Sequence, residues 1–192
     1  MNKIYIISGP SGVGKSTIAA AILKAHPNIE ESVSYTTRKP RDEEKHGVDY
    51  FFVSEDRFNE LQEDGEFVES AEVHGKMYGT STHTIDTLLN AANKNVLIVL
   101  DVQGTAIFKD SYPEAISIFI MPPSFHDLEK RMSNRKSETS EELEIRMKNA
   151  REEITKCRWY DYVVENDILT EAIKDVEKII HVESSLRPES FI

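Results

Sequence analysis

At 192 residues the chain is long enough to bury a full hydrophobic core in one compact domain, with room for a small inserted lobe. The apolar fraction of 39% is that of a folded protein, and no apolar run approaches the roughly 20 residues that a bilayer demands. A formal charge of −11 excludes a nucleic-acid binder that works by displacing counterions, and the single cysteine, Cys157, excludes a disulfide framework or a multi-cysteine zinc site. With no signal-peptide pattern at the N-terminus, the expected place is the cytoplasm, with no membrane partner.

The first predicted element is a buried strand at Ile4–Ser8, followed by a helix over Lys15–Ala25 with Ile18, Ile22 and Leu23 at helical spacing. Residues 33–53 are polar and alternating, with strand-like pieces at Val33–Thr36 and Tyr50–Val53. Ser54 is placed to cap a helix over Glu55–Glu63. Phe67–Val73 and Met77–Gly79 read as strands joined by a His74–Gly75 turn, and a helix is expected from Thr82 to about Asn93. Val96–Leu100, closed by Asp101, and Ala115–Met121, stopped by Pro122 and Pro123, read as strands buried on both faces. Helices over Ser124–Asn134 and Ser140–Lys156, a strand at Tyr162–Glu165 and a helix over Thr170–Ser184 complete the chain, with 185–192 as a loose tail.

Alternating strands and helices predict an α/β fold with a parallel sheet. Residues 34–81 break that rhythm with hairpin-like strands and read as an inserted lobe, leaving 1–33 and 82–192 as the core.

Gly9-Pro10-Ser11-Gly12-Val13-Gly14-Lys15-Ser16-Thr17, between the first strand and the first helix, matches the phosphate-loop pattern. Glycines let the backbone curl until its N–H groups face inward, and the helix N-terminus adds positive potential. Lys15 is then placed for the β- and γ-phosphates and Ser16 for Mg²⁺, so the segment is expected to hold ATP.

Ser34-Tyr35-Thr36-Thr37-Arg38-Lys39-Pro40-Arg41, with Gly47-Val48-Asp49-Tyr50-Phe51-Phe52, closely resembles the monophosphate-binding segment of guanylate kinases, and the likeness runs from the phosphate loop to Asn166-Asp167. The resemblance implies a phosphate-loop NTPase core of three layers, a parallel sheet flanked by helices. It also implies that the inserted lobe is mixed β/α and binds GMP, and that a helical lid spans about 124–156. Forked guanidiniums suit a phosphate dianion, so Arg38 and Arg41 are expected to bracket the acceptor phosphate, with Tyr50 and Tyr78 as neutral donors. Glu69 matches the glutamate that reads guanine: an ionised carboxylate accepts the N1–H and amino hydrogens but confronts the N1 lone pair of adenine. Ser34 and Thr80 match hydroxyl contacts to the base edge.

Asp101-Val102-Gln103-Gly104 matches the family's next block, with Asp101 assigned to the GMP site. The family usually carries an acidic residue where this chain has Val99, and Glu43 and Lys136 stand where glycine is common. Arg131 and Arg135, four apart on one helical face, and Arg146 match the lid arginines and are expected to be catalytic together with Lys15. Asn166 matches the residue that meets the adenine of ATP, whereas the six histidines show no metal-ligand spacing.

The resemblance therefore implies a Mg²⁺-dependent ATP:GMP phosphotransferase, accepting dGMP as well, acting as a monomer or small homo-oligomer through direct in-line transfer. A kinase of a phosphorylated sugar would share the loop and the lid, but Glu69 and Thr80 would have no purpose in it. A silent protein-binding relative would be expected to lose Lys15 or the lid arginines, and this chain keeps them.

Overall fold

The computed structural model describes residues 2–73, 75–91, 94–133 and 140–186. The strand β1 (Ile4–Ser8) is wholly buried and lies between β7 (Asn95–Val99) and β8 (Ile116–Met121), parallel to both. A short strand β2 (Ile29–Glu31) joins β7 on one edge and β9 (Tyr162–Glu165) joins β8 on the other, giving the all-parallel order β2-β7-β1-β8-β9.

Both faces of this sheet are covered, which is why its strands read as continuous apolar runs. Tyr5, Ile7, Leu97, Ile118 and Ile120 face α1 (Lys15–Ala25) and α7 (Leu169–Ser185), meeting Ile18, Ile22, Ala172 and Val176 in one core. Ile4, Ile6, Val96 and Ile98 face the opposite way, onto Ile85 of α3 (Thr82–Asn90) and Phe108 of α4 (Val102–Ser111). Alternation along one strand thus feeds two cores. Each fully buried aliphatic side chain is worth about 1.5–3 kcal/mol of transfer free energy.

A second, mixed sheet has the order β4-β3-β6-β5, from β3 (Tyr35–Thr36), β4 (Phe51–Phe52), β5 (Phe67–Val73) and β6 (Lys76–Ser81). β5 and β6 form an antiparallel hairpin, β3 continues it antiparallel to β6, and β4 adds parallel to β3. α2 (Glu55–Glu63) starts at Ser54, whose side chain accepts from the Arg57 N–H at 3.2 Å, and buries Phe58 and Leu61. Phe58 packs on Phe67 of β5 with tilted rings whose centroids are 4.7 Å apart, which fastens α2 to the sheet. α5 (Phe125–Ser133) and α6 (Ser140–Thr155) pack on each other beyond β8.

Two elements depart from the sequence expectation. α4 was not foreseen and follows Asp101 directly, and β2 is too short and polar to announce itself. α3 ends at Asn90, with Ala91 as an extended C-cap, short of the expected Asn93, and α7 continues through Ser185, which was expected in the tail. His74 of the expected turn, Asn93, Asn134 and residues 187–192 lie outside the described residues. Among the described residues no helix is long and apolar enough to cross a membrane.

Candidate functional site

The glycine-rich loop leaves β1 with Gly9 at φ +135°, where a Cβ would also run into the Ile120 carbonyl oxygen of β8. Only glycine fits that turn without strain. The loop then closes through Val13 N–H to Pro10 O at 3.3 Å and enters α1 at Gly14. Lys15 folds back over it, its Nζ donating to Gly9 O at 2.6 Å and Pro10 O at 3.1 Å. Ser11, Gly12, Gly14, Lys15, Ser16 and Thr17 line one cleft, with Ser16 and Thr17 exposed. Val13 does not turn its side chain to that cleft; it is fully buried in the α1 and α7 core.

The same cleft is lined by Ser34, Arg38, Arg41, Tyr50, Glu69 and Tyr78 from the second sheet and its loops, and by Asp101. The donor loop and the acceptor residues proposed from sequence therefore share one space. The Arg38 guanidinium lies over the Tyr50 ring at 5.5 Å and the Phe52 ring at 5.7 Å, and Tyr50 and Tyr78 meet edge to face at 5.8 Å. Burial pushes the Tyr50 hydroxyl up to about 12, so it stays a proton donor at neutral pH.

Glu69 is 3% exposed. It sits just past a β-bulge, because the pairing of β5 with β6 slips between Phe67 and Glu69, and such a bulge re-aims the side chains around it. The Thr80 hydroxyl donates to Glu69 Oε1 at 2.7 Å, and Ser34 Oγ stands 3.3 Å from Thr80 Oγ1. Burial first, with Asp101 adding to it, outweighs the Thr80 hydrogen bonds and lifts the Glu69 carboxyl to about 7.

Asp101 caps α4, its Oδ1 accepting from the Gly104 N–H at 2.7 Å. A Cβ at Gly104 would stand 2.9 Å from Glu69 Oε2 and 3.0 Å from Asp101 Oδ1, so a glycine is what lets α4 bring the two carboxylates together. Val99, where a second acidic residue was expected by resemblance, lines the cleft with an apolar surface.

Arg131 and Arg146, two of the arginines expected in a lid, are not among the residues that line the cleft. Arg146 of α6, 8% exposed, donates from Nη2 to Ser11 Oγ at 2.6 Å. Arg131 of α5 donates from Nη2 to Asn166 O at 2.8 Å. Asn166 itself is buried, and its Nδ2 donates to Val13 O at 2.8 Å, so it braces the phosphate loop and does not line the cleft. Arg135 and Lys136 lie outside the described residues.

Two carboxylates escaped the sequence reading. Glu153 of α6 lines the cleft, and its carboxyl is raised chiefly by burial, against the pull of Lys15. It follows Arg146 by seven residues, which places both on one helix face. Glu44 holds Arg38 and Arg41 through hydrogen bonds of 2.8–3.3 Å. A glutamate in a charged run reads as solvated, and nothing local marked it otherwise.

Among the described residues no cluster of three or more His, Cys, Asp and Glu could by itself hold a metal ion. Ser16 offers an exposed hydroxyl at the start of α1. Sparse oxygen donors beside a phosphate site suit Mg²⁺, which keeps several waters and takes substrate phosphates as ligands.

Comparison with known proteins places the chain in one family. The guanylate kinase family model matches residues 1–183. The guanylate kinase of Nitrosomonas europaea is 44% identical over 183 residues, covering 95% of this chain and 90% of its own. That of Geobacter metallireducens is 40% identical over 180 residues, covering 94% and 88%. The crystal structure of guanylate kinase from Anaplasma phagocytophilum superposes with a TM-score of 0.81 at 35% identity, covering 96% of this chain and 87% of that one. Shikimate kinase from Bacteroides thetaiotaomicron, at 15% identity and a TM-score of 0.53, shares the fold alone. The chain belongs to the guanylate kinase family.

Proposed function

We propose that this chain transfers the γ-phosphoryl of ATP to GMP, giving ADP and GDP. One observation carries the reading: a single cleft is lined at once by Lys15 and Ser16 of the phosphate loop and by Arg38, Arg41, Tyr50, Tyr78 and Glu69. An in-line transfer needs donor and acceptor phosphates in one water-poor space, and two separate pockets could not supply it.

On this reading Lys15 exchanges its two carbonyl partners for phosphate oxygens of ATP. Arg38 and Arg41, with the Tyr50 and Tyr78 hydroxyls, hold the GMP phosphate, one oxygen of which attacks the γ-phosphorus as the bond to the β–γ bridging oxygen breaks. No phospho-enzyme is required. Glu69, ionised and steadied by the Thr80 hydroxyl against the repulsion of Asp101, accepts the guanine N1–H and amino hydrogens, with Ser34 at the base edge. Mg²⁺, held by Ser16 and the phosphates themselves, supplies charge neutralisation on the transferring group. Arg131, Arg135 and Arg146 form the lid charge, and Asn166 braces the loop that holds ATP, so a contact with adenine would require it to leave Val13 O. The sheet β4-β3-β6-β5 with α2 is the acceptor lobe, and α5 with α6 is the lid.

A coupled assay of ADP release across GMP, dGMP, AMP, UMP and ribose 5-phosphate tests the reading. GMP and dGMP are expected to turn over, with kcat/KM for AMP lower by about 10⁴-fold, the scale set by a buried polar reader left unpaired. Comparable turnover of AMP, or turnover of the sugar phosphate alone, overturns it.

A further inference from the structure

Arg38 and Arg41 are assigned above to the acceptor phosphate, and each has a partner that the assignment does not use. Arg38 Nη1 donates to Glu44 Oε2 and Nη2 to Glu44 Oε1, both at 2.8 Å, a parallel two-bond clasp. Arg41 donates to the same carboxylate twice, from its backbone N–H to Oε2 at 2.8 Å and from Nη1 to Oε1 at 3.3 Å. Two oxygens thus take four donors, which fills the acceptor capacity of a carboxylate.

This is not an ordinary surface ion pair of negligible worth. The Glu44 side chain is 15% exposed and that of Arg38 18%, and Arg38 is flanked by the rings of Tyr50 and Phe52. Burial pushes the Glu44 carboxyl up, yet the donors from Arg38 and from the Arg41 backbone outweigh it and leave it below the usual range, so it is ionised at neutral pH. Arg38 and Arg41 line the cleft, and Glu44 is not among the residues that do. The carboxylate therefore grips the two cations without occupying the place where a substrate phosphate would enter.

We infer that Glu44 is a positioning residue for the acceptor phosphate: it fixes the spacing and aim of Arg38 and Arg41 before substrate arrives, so that a phosphate monoester meets a preformed pair of cations. Long arginine side chains lose rotamer freedom when they bind, and a fixed internal counter-ion takes that loss during folding. The inference rests on the reading of Arg38 and Arg41 given above.

The test uses the full chain carrying Glu44→Gln, with Arg38→Ala alongside. The readouts are KM for GMP, KM for ATP, kcat, and the inhibition constant of guanosine, which keeps the base and lacks the phosphate. Glu44→Gln is expected to raise KM for GMP by about tenfold, the scale of a charge-assisted contact, while KM for ATP and guanosine inhibition stay within twofold, roughly. Glu44→Asp, which keeps the charge and loses one methylene, is expected to recover part of the loss, and it carries the test alone should the Gln variant not fold. An unchanged KM for GMP overturns the inference, as does a parallel loss of guanosine binding, which would mean general damage to the lobe. A lowered KM for GMP also overturns it, since the carboxylate would then be a competitor. If Arg38→Ala weakens ATP and spares GMP, the phosphate assignment has failed, and that failure is distinguishable from failure of the Glu44 inference.

Discussion

On the proposed reading the donor loop and the acceptor lobe both bind anions, and they are built in opposite ways. The donor loop is nine contiguous residues: its shape comes from backbone φ values such as +135° at Gly9, its potential from a helix N-terminus, and its one cation, Lys15, rests on its own carbonyls. The acceptor lobe gathers side chains from residues 34, 38, 41, 50, 69 and 78 onto one wall, and each is held by another side chain. Arg38 depends on Glu44, Glu69 on Thr80, and Thr80 on Ser34. A backbone site binds any phosphate of suitable shape. A side-chain site can choose, because each donor and acceptor is chemically distinct and costly to leave unpaired once buried.

The sharpest way to break that comparison is at Lys15. Lys15→Ala removes the only side-chain cation of the donor loop and leaves its backbone cradle intact, so turnover should fall by about 10³-fold, the scale of a transition-state charge contact. Melting should shift little, because Lys15 packs into no core. A variant that melts like wild type and turns over normally would mean that the cradle alone activates the donor.

The next largest effect is expected in the acceptor lobe. Glu69→Gln substitutes a donor for one of two acceptors, so the ratio of kcat/KM for GMP over AMP should drop about 10–100-fold, while KM for ATP holds. In the wild type the same ratio should fall as pH drops below about 7, because the reader must be ionised and its carboxyl titrates near there. Using the ratio removes the ionisation of the substrate phosphate, which both acceptors share. A ratio flat from pH 6 to pH 8, or unmoved by Glu69→Gln, would move base selection to Ser34 and Asp101.

The contrast also explains what could be read from the sequence. The donor loop and α1 were legible because nine adjacent residues and one apolar stripe encode them. Ser54 and the burst 96–100 were legible for the same local reason. α4 was not, because Gly104 stands early in it and weakens the helical pattern. Asp101 as a cap, with Val102, Thr105 and Phe108 recurring along one buried stripe, held the missed signal. β2 exists because β7 offers it a parallel edge, a contact made across more than 60 residues and invisible to any local pattern. Glu69 itself was found by resemblance, but its aim depends on a bulge, its raised carboxyl on burial, and its nearness to Asp101 on a glycine in another element. Glu44 and Glu153 fall in the same class: their meaning lies in partners that the fold brings to them.

The smallest effect separates the two regions by stability. The Glu69 carboxyl has an ordinary value of 4.5 and sits at about 7 in the folded chain. The folded state therefore holds the Glu69 proton more tightly than the unfolded state does. The sign follows from linkage: below about pH 4.5 both states are protonated and Glu69 carries no ionisation cost, and as pH rises toward 7 the unfolded state ionises more readily and stability is lost. Above pH 7 the whole cost, on the order of 1–3 kcal/mol, is present. Glu69→Gln cannot ionise and keeps an acceptor for the Thr80 hydroxyl. Its melting temperature should therefore exceed that of the wild type by a few degrees at pH 8 and match it below about pH 4. No comparable pH-dependent gain is expected for Lys15→Ala, whose site draws its potential from the backbone. A Glu69→Gln variant that melts below the wild type at pH 8 would show that the buried carboxylate strengthens the free protein, and that its hydrogen bonds, not its charge, dominate there.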